Sequence, residues 1–245
     1  MIRKIEKLLN MDDYDLEAVF TPTMVNLLIL DFVFSCTILP DAEKTRWWHA
    51  ALTIVVSLAS AVVLTRFTMH LFRAIARFIE NLLYRKDHLR FPTTSMLLLG
   101  DKSTGTSQIM KRRVRDDLKT LYHISLPSKT KEEADEMEAR RTAKDAVALV
   151  RKTVADSHDA MTRRMLKRYG MFRNFLGGAL FCLPLSIACW TVDFSRTGTS
   201  DPIILTTLVF YLLIIVVDFF ITKSAAVEYA ESLLTTFNKI NHNEE

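Results

Sequence analysis

The chain has 245 residues, 49% of them apolar and 24% charged, with 32 Lys and Arg against 28 Asp and Glu. A mean hydropathy of +0.14 is too high for an average soluble domain, while the charge content excludes a chain embedded in a bilayer throughout. The three cysteines, Cys36, Cys182 and Cys189, all lie in apolar runs and read as packing residues, and no paired Cys/His spacing points to a metal.

Residues 1–22 predict a short cytoplasmic amphipathic segment at the membrane surface, with Ile2, Ile5, Leu8 and Leu9 on one side and Pro22 separating it from the next helix. It leads into the acidic Asp12-Asp13-Tyr14-Asp15, unlike the apolar core and cleavage site of a signal peptide. A first membrane span is expected over about 23–39, interrupted near its middle by Asp31, and a second over about 49–66 after the interfacial pair Trp47-Trp48. Residues 49–86 contain no Gly or Pro, so one helix there would run for about 57 Å against roughly 30 Å of bilayer core. In the surplus, Arg66, His70, Arg73 and Arg77 share one helical face, while Phe67, Leu71, Ile75, Phe78 and Leu82 line another that calls for a partner helix. The first transmembrane hairpin is therefore placed at 23–79, its second helix extending to about 86.

Residues 87–172 predict a small, mainly helical cytoplasmic domain. One helix is expected from Thr106 or Ser107 to about Tyr122, and a second from a Thr130/Glu133 capping box to about Ala155. A third, basic helix from about Asp159 to Arg173 is expected to enter the membrane with a hinge at Gly170. Residues 80–172 carry 20 basic and 13 acidic side chains, a net charge of +7, which suits an anionic partner. A second transmembrane hairpin is expected at 175–221, with spans near 175–194 and 202–221. Residues 222–245 form a cytoplasmic helix whose Val227, Ala230, Leu234, Phe237 and Ile240 would pair with the 67–82 apolar face in a helical stalk. The fold expected is an all-α integral membrane protein of four transmembrane helices arranged as two hairpins around this domain. Basic residues crowd the span ends away from the two short turns, placing both termini in the cytoplasm.

Three groups of residues carry candidate chemistry. The intramembrane polar set comprises Asp31, Ser57, Ser60, Arg66 and Asp218, since ionisable groups at membrane depth are functional by default; Arg66 is expected to pair with Asp218, whereas Asp31 suits a wet cavity or an oligomer axis. The basic stripe of Arg66, His70, Arg73, Arg77, Arg163, Arg164, Lys167 and Arg168 suits lipid headgroups or another anion. In the apolar-to-glycine stretch from Leu97 to Ser107, Gly100 and Gly105 have phosphate-loop spacing with Lys102 between them and Thr106 and Ser107 after. The Lys that should come after the second glycine is replaced by Thr106. Ser128-x-x-Lys131 and Asp156-Ser-His-Asp159 read as chance and as a capping turn respectively, and no nucleophile elbow, His-Glu-x-x-His or dinucleotide fingerprint is present. No enzyme activity, cofactor, catalytic residue or metal is expected, nor sequence-specific nucleic acid binding.

Two hairpins around a small cytoplasmic domain resemble, in layout only, membrane-acting effectors of bacterial immune and abortive-infection systems. That resemblance implies an oligomeric inner-membrane protein whose cytoplasmic domain receives a signal or partner and whose bundle acts as a channel or membrane-perturbing effector in phage defence. The expected partners are the lipid bilayer, further copies of the chain, and a cytoplasmic protein or anionic ligand. The alternative is a non-conducting anchor or scaffold that recruits a cytoplasmic partner.

Overall fold

The computed structural model describes residues 12–38, 67–84, 89–103 and 105–242. The expectations for residues 1–11 and for the second span, with Ser57, Ser60 and Arg66, lie outside them. Every regular element among the described residues is helical. Three helical stretches, Asp13–Phe34, Ala160–Thr197 and Pro202–His242, are long and apolar enough to cross a bilayer, which makes this a membrane protein by length and composition.

Helix α1 comprises the turn Asp13–Asp15, a π-helical turn Leu16–Phe20 and the segment Thr21–Ile38. Asp12 caps it, its side chain accepting from the Asp15 amide at 2.6 Å. Pro22 was expected to separate two elements, yet the helix runs through it. Proline has no N–H to return to the carbonyl four residues back, Ala18, and the π turn sits where that bond is missing. Helix α2 spans residues 67–83. Its buried face is Met69, Phe72, Ala76 and Glu80, whereas Phe67, Phe78 and Leu82 are 63 to 69% exposed. The predicted apolar contact face is thus turned outward.

The short helix α3, Pro92–Leu97, is buried at all six positions. Helix α4, Gln108–Tyr122, begins at Ser107, whose hydroxyl accepts from the Met110 amide at 3.2 Å. The second predicted domain helix is two: α5, Lys129–Ala134, and α6, Glu136–Asp156. The Thr130/Glu133 box is not the cap; Asp135 breaks the helix and its side chain accepts from the Glu138 amide at 3.0 Å. Helix α7, Ala160–Thr197, is capped by Asp159 at the Thr162 amide, 2.7 Å, and passes through Gly170 and Pro184 without ending. Helix α8, Pro202–His242, comes after the turn at Gly198 (φ 68°). Helices of 38 and 41 residues extend about 57 and 62 Å, roughly twice a bilayer core.

The chain divides into two compact units. The first comprises residues 1–79 and 170–222, with a core of Phe72, Ala179, Cys182 and Tyr211 and a smaller cluster of Ala18, Val19 and Met69. The second comprises residues 80–169 and 223–245. Its helices pack through Val114, Leu118, Val147, Val150 and Phe237, all nearly or fully buried. An aromatic chain runs Tyr84–Phe91–Tyr169–Tyr229 with centroid spacings of 5.0, 5.5 and 6.3 Å, and the Arg151 guanidinium lies 5.7 Å from the Phe91 ring. Tyr169 donates to Glu80 at 2.5 Å, and burial beside Glu80 pushes the Tyr84 hydroxyl pKa up.

Candidate functional site

Polar groups in the first unit gather where α7 meets α1 and α8. The Ala18 carbonyl, within the π turn that precedes Pro22, receives Asn174 Nδ2 at 2.7 Å. Asn26 Nδ2 donates to the Pro22 carbonyl at 2.9 Å and to that of Phe175 at 3.4 Å, while Tyr211 Oη donates to the Asn26 carbonyl at 3.0 Å. Asn26, Asn174 and Tyr211 are fully buried.

These contacts require close helices, which Gly177-Gly178 permits. A Cβ on Gly177 would lie 2.7 Å from the Phe72 carbonyl oxygen, and one on Gly178 2.6 Å from Asn26 Nδ2. The small-residue pair seats α7 against α1 and α2, as small residues do between membrane helices. Gly170 also marks a close approach: its Cβ would meet the Tyr14 hydroxyl at 2.5 Å.

Asp218 is 4% exposed, and its Oδ2 has no hydrogen-bond partner among the described residues. Its expected partner Arg66 lies outside them. Asp31 is half-buried on α1 and has neither hydrogen bond nor ion pair among the described residues. Of the basic stripe, Arg73 pairs with Asp15 within the first unit, and His70 and Arg77 are exposed. In the second unit, Arg163 binds the His158 ring, Arg168 pairs with Glu228 at 2.8 Å, Arg164 is exposed and Lys167 half-buried.

The glycine loop of the second unit has an internal anion. Glu132, 6% exposed, accepts from the Leu99 amide at 3.1 Å and the Gly100 amide at 2.8 Å, taking the donors a phosphate would use. Arg115 holds Glu132 at 2.7 Å and donates to the carbonyls of Leu97 (3.0 Å) and Pro127. Lys111, 2% exposed, donates from Nζ to the carbonyls of Leu98 (2.7 Å) and Asp101. Arg140 binds Asp101 Oδ2 at 2.9 Å, Glu136 at 2.8 Å, and both the Leu89 carbonyl and Ser95 Oγ at 3.2 Å. Three cations and three carboxylates thus tie down the loop from both sides. Burial pushes the Asp101 carboxyl up, but hydrogen bonds from Ser103, Arg140 and Ser95 outweigh it and hold the pKa at about 2. Burial lowers that of Lys111 against the opposing pull of Asp101 and Glu132. Of the remaining loop residues, Lys102 is exposed, Gly105 takes the left-handed conformation (φ 66°), Thr106 is half-buried and Ser107 caps α4.

No known family, curated protein or solved structure matches the chain. Its function is therefore argued from the two polar clusters. Among the described residues no group of three or more His, Cys, Asp or Glu is placed to hold a metal. Sequence reasoning missed Asn26, Asn174 and Gly177-Gly178, although amides and paired glycines inside apolar runs are a legible signal of helix contact. It also missed Lys111, Arg115, Glu132 and Arg140, whose partners are 4 to 51 residues away along the chain and leave no local pattern.

Proposed function

We propose that the chain is a homo-oligomeric membrane protein whose transmembrane bundle acts as a channel or membrane-perturbing effector, under the control of a signal or partner received by its helical domain. In this reading four spans form two hairpins, with the second near 49–66, and both termini lie in the cytoplasm. Asp31 carries the proposal. It lies part-way along α1 between exposed Leu28, Phe32 and Phe34, without a partner among the described residues. A carboxylate at the centre of a membrane helix costs about 2.5–3.5 kcal/mol on insertion scales, and water or a neighbouring copy relieves that cost. Among the described residues Phe72, Cys182 and Tyr211 pack into the core of the first unit, so a wet path is assigned to the contact between copies.

The test is inducible expression with a membrane-potential dye. Wild type is expected to depolarise cells, and Asp31→Leu at equal membrane abundance to reduce this at least tenfold. Sustained wild-type expression with no depolarisation, or a strictly monomeric chain in nanodiscs, counts against the proposal. The second reading, a non-conducting anchor, is favoured by the second unit's internally satisfied loop and by its exposed Arg163 and Arg164, a preformed surface for an anionic partner.

A further inference from the structure

Of the six residues of α5 only Glu132 is buried; Lys129, Thr130, Lys131, Glu133 and Ala134 are exposed. A helix on a domain surface ordinarily docks through an apolar stripe, whereas α5 docks through a carboxylate. That carboxylate accepts from the Leu99 and Gly100 amides and from Arg115 at 2.7 to 3.1 Å. Two adjacent amides and a guanidinium converging on one anion make an oxyanion receptor. Asp135, at φ −139° and ψ 85°, interrupts the helix just beyond, so α5 and α6 are separate rods joined at one residue.

A cavity of about 340 Å³ in the second unit abuts this contact, lined by Gly100, Lys102, Glu132, Glu133 and Arg140 among others. Gly100 and Lys102 are exposed, so the cavity is an entrance to the receptor. Among the described residues of the network, the cations Lys111, Arg115 and Arg140 face the carboxylates Glu132 and Asp101, all 12% exposed or less. The third carboxylate, Glu136, is 52% exposed. Three buried cations to two buried carboxylates leave one charge over, and a dianion in the place of Glu132 balances it.

We propose that the Leu99-Gly100 loop is a receptor for a phosphate dianion, carried by free phosphate or by a small phosphate monoester, and that Glu132 is its internal occupant. The ligand takes the two amides and Arg115 from Glu132. The network closes on the ligand instead, and α5 leaves the domain surface with its second acid, Glu133. The proposal is independent of the channel reading, which rests on Asp31.

The full chain in detergent, at constant ionic strength and about pH 8 so that phosphate is a dianion, is titrated with inorganic phosphate. Wild type is expected to bind saturably, one phosphate per chain. Glu132→Gln keeps the shape of the internal occupant without its charge and is expected to bind roughly tenfold tighter or more, and Lys102→Glu roughly tenfold weaker. Trypsin reads the release of α5, which carries cleavage sites at Lys129 and Lys131. Saturating phosphate is expected to speed cleavage there in wild type roughly threefold or more, where binding to a fixed surface would slow it or leave it unchanged. That measurement uses wild type alone and keeps the test decisive should Glu132→Gln fail to fold. No saturable binding, cleavage unchanged or slowed by phosphate, Glu132→Gln no tighter than wild type, or undiminished binding by Lys102→Glu overturns the proposal. Glycerol 3-phosphate that binds tighter than inorganic phosphate assigns the site to a monoester; equal or weaker binding assigns it to free phosphate.

Discussion

Lys111, Glu132 and Arg140 in the second unit are as deeply buried as Asn174 and Asp218 in the first, yet the two sets are treated differently. Lys111, Glu132 and Arg140 together make nine hydrogen bonds or ion pairs that close on Asp101, Arg115, Glu136, the Ser95 hydroxyl and the backbone of residues 89–101. Asn26, Asn174 and Asp218 each retain a buried oxygen without a partner among the described residues. A network closed on itself stabilises a fixed shape; leftover acceptors inside an apolar bundle hold capacity for a water, a cation or a rearrangement. The contrast is between these two clusters and not between whole units, since Tyr84, Thr93 and Asn238 in the second unit also carry a buried polar atom without a partner among the described residues.

Removing one member of the closed network has the largest expected effect. Glu132→Ala leaves Arg115 and two amides without their partner and is expected to cost about 3–5 kcal/mol locally. Hydrogen exchange at Leu99 and Gly100, accelerated on the order of a hundredfold or more, reads this out; unchanged exchange would show that the loop is held by something else. Gly177→Leu attacks the first unit through packing. Its side chain collides with the Phe72 carbonyl and Ala76, and a loss of about 1–3 kcal/mol, seen as a lower melting temperature in detergent, is expected.

Acid addresses the second unit through Asp101. The folded pKa of Asp101, about 2, lies below its unfolded value of about 4, so its contribution is complete above about pH 4 and lost as pH falls toward 2. That contribution is about 2 kcal/mol, and Asp101→Asn is expected to flatten the acid dependence of exchange in residues 98–103. The smallest change is Pro22→Ala. It restores an amide that competes with Asn174 for the Ala18 carbonyl, with an expected effect below about 1 kcal/mol and a shifted Asn174 side-chain amide resonance.

The long apolar helices were legible because about twenty apolar residues in a row have few other solutions. The Ser107 cap was legible for the same kind of local reason, a hydroxyl placed before a helix start. Where α2 presents its contact face was not. Phe67, Phe78 and Leu82 form a coherent stripe, but hydropathy alone cannot tell an outward-facing stripe from one that packs on a neighbouring helix. The glycine loop was visible as a cradle of amides; that Glu132, more than thirty residues away, occupies two of them was not.

The sequence by itself determined that this is a helical membrane protein, where its long apolar helices run, and that acids lie within them, because those are properties of local composition and period. Tertiary structure alone decided which of the buried polar groups are met. Asn174 finds the Ala18 carbonyl, Arg73 finds Asp15 and Glu132 finds Gly100, while Asp218 is left with an open oxygen among the described residues. The physical reason is that a hydrogen bond depends on a few tenths of an ångström between atoms far apart in the chain. In the first unit such distances exist only once Gly177-Gly178 has brought the helices together.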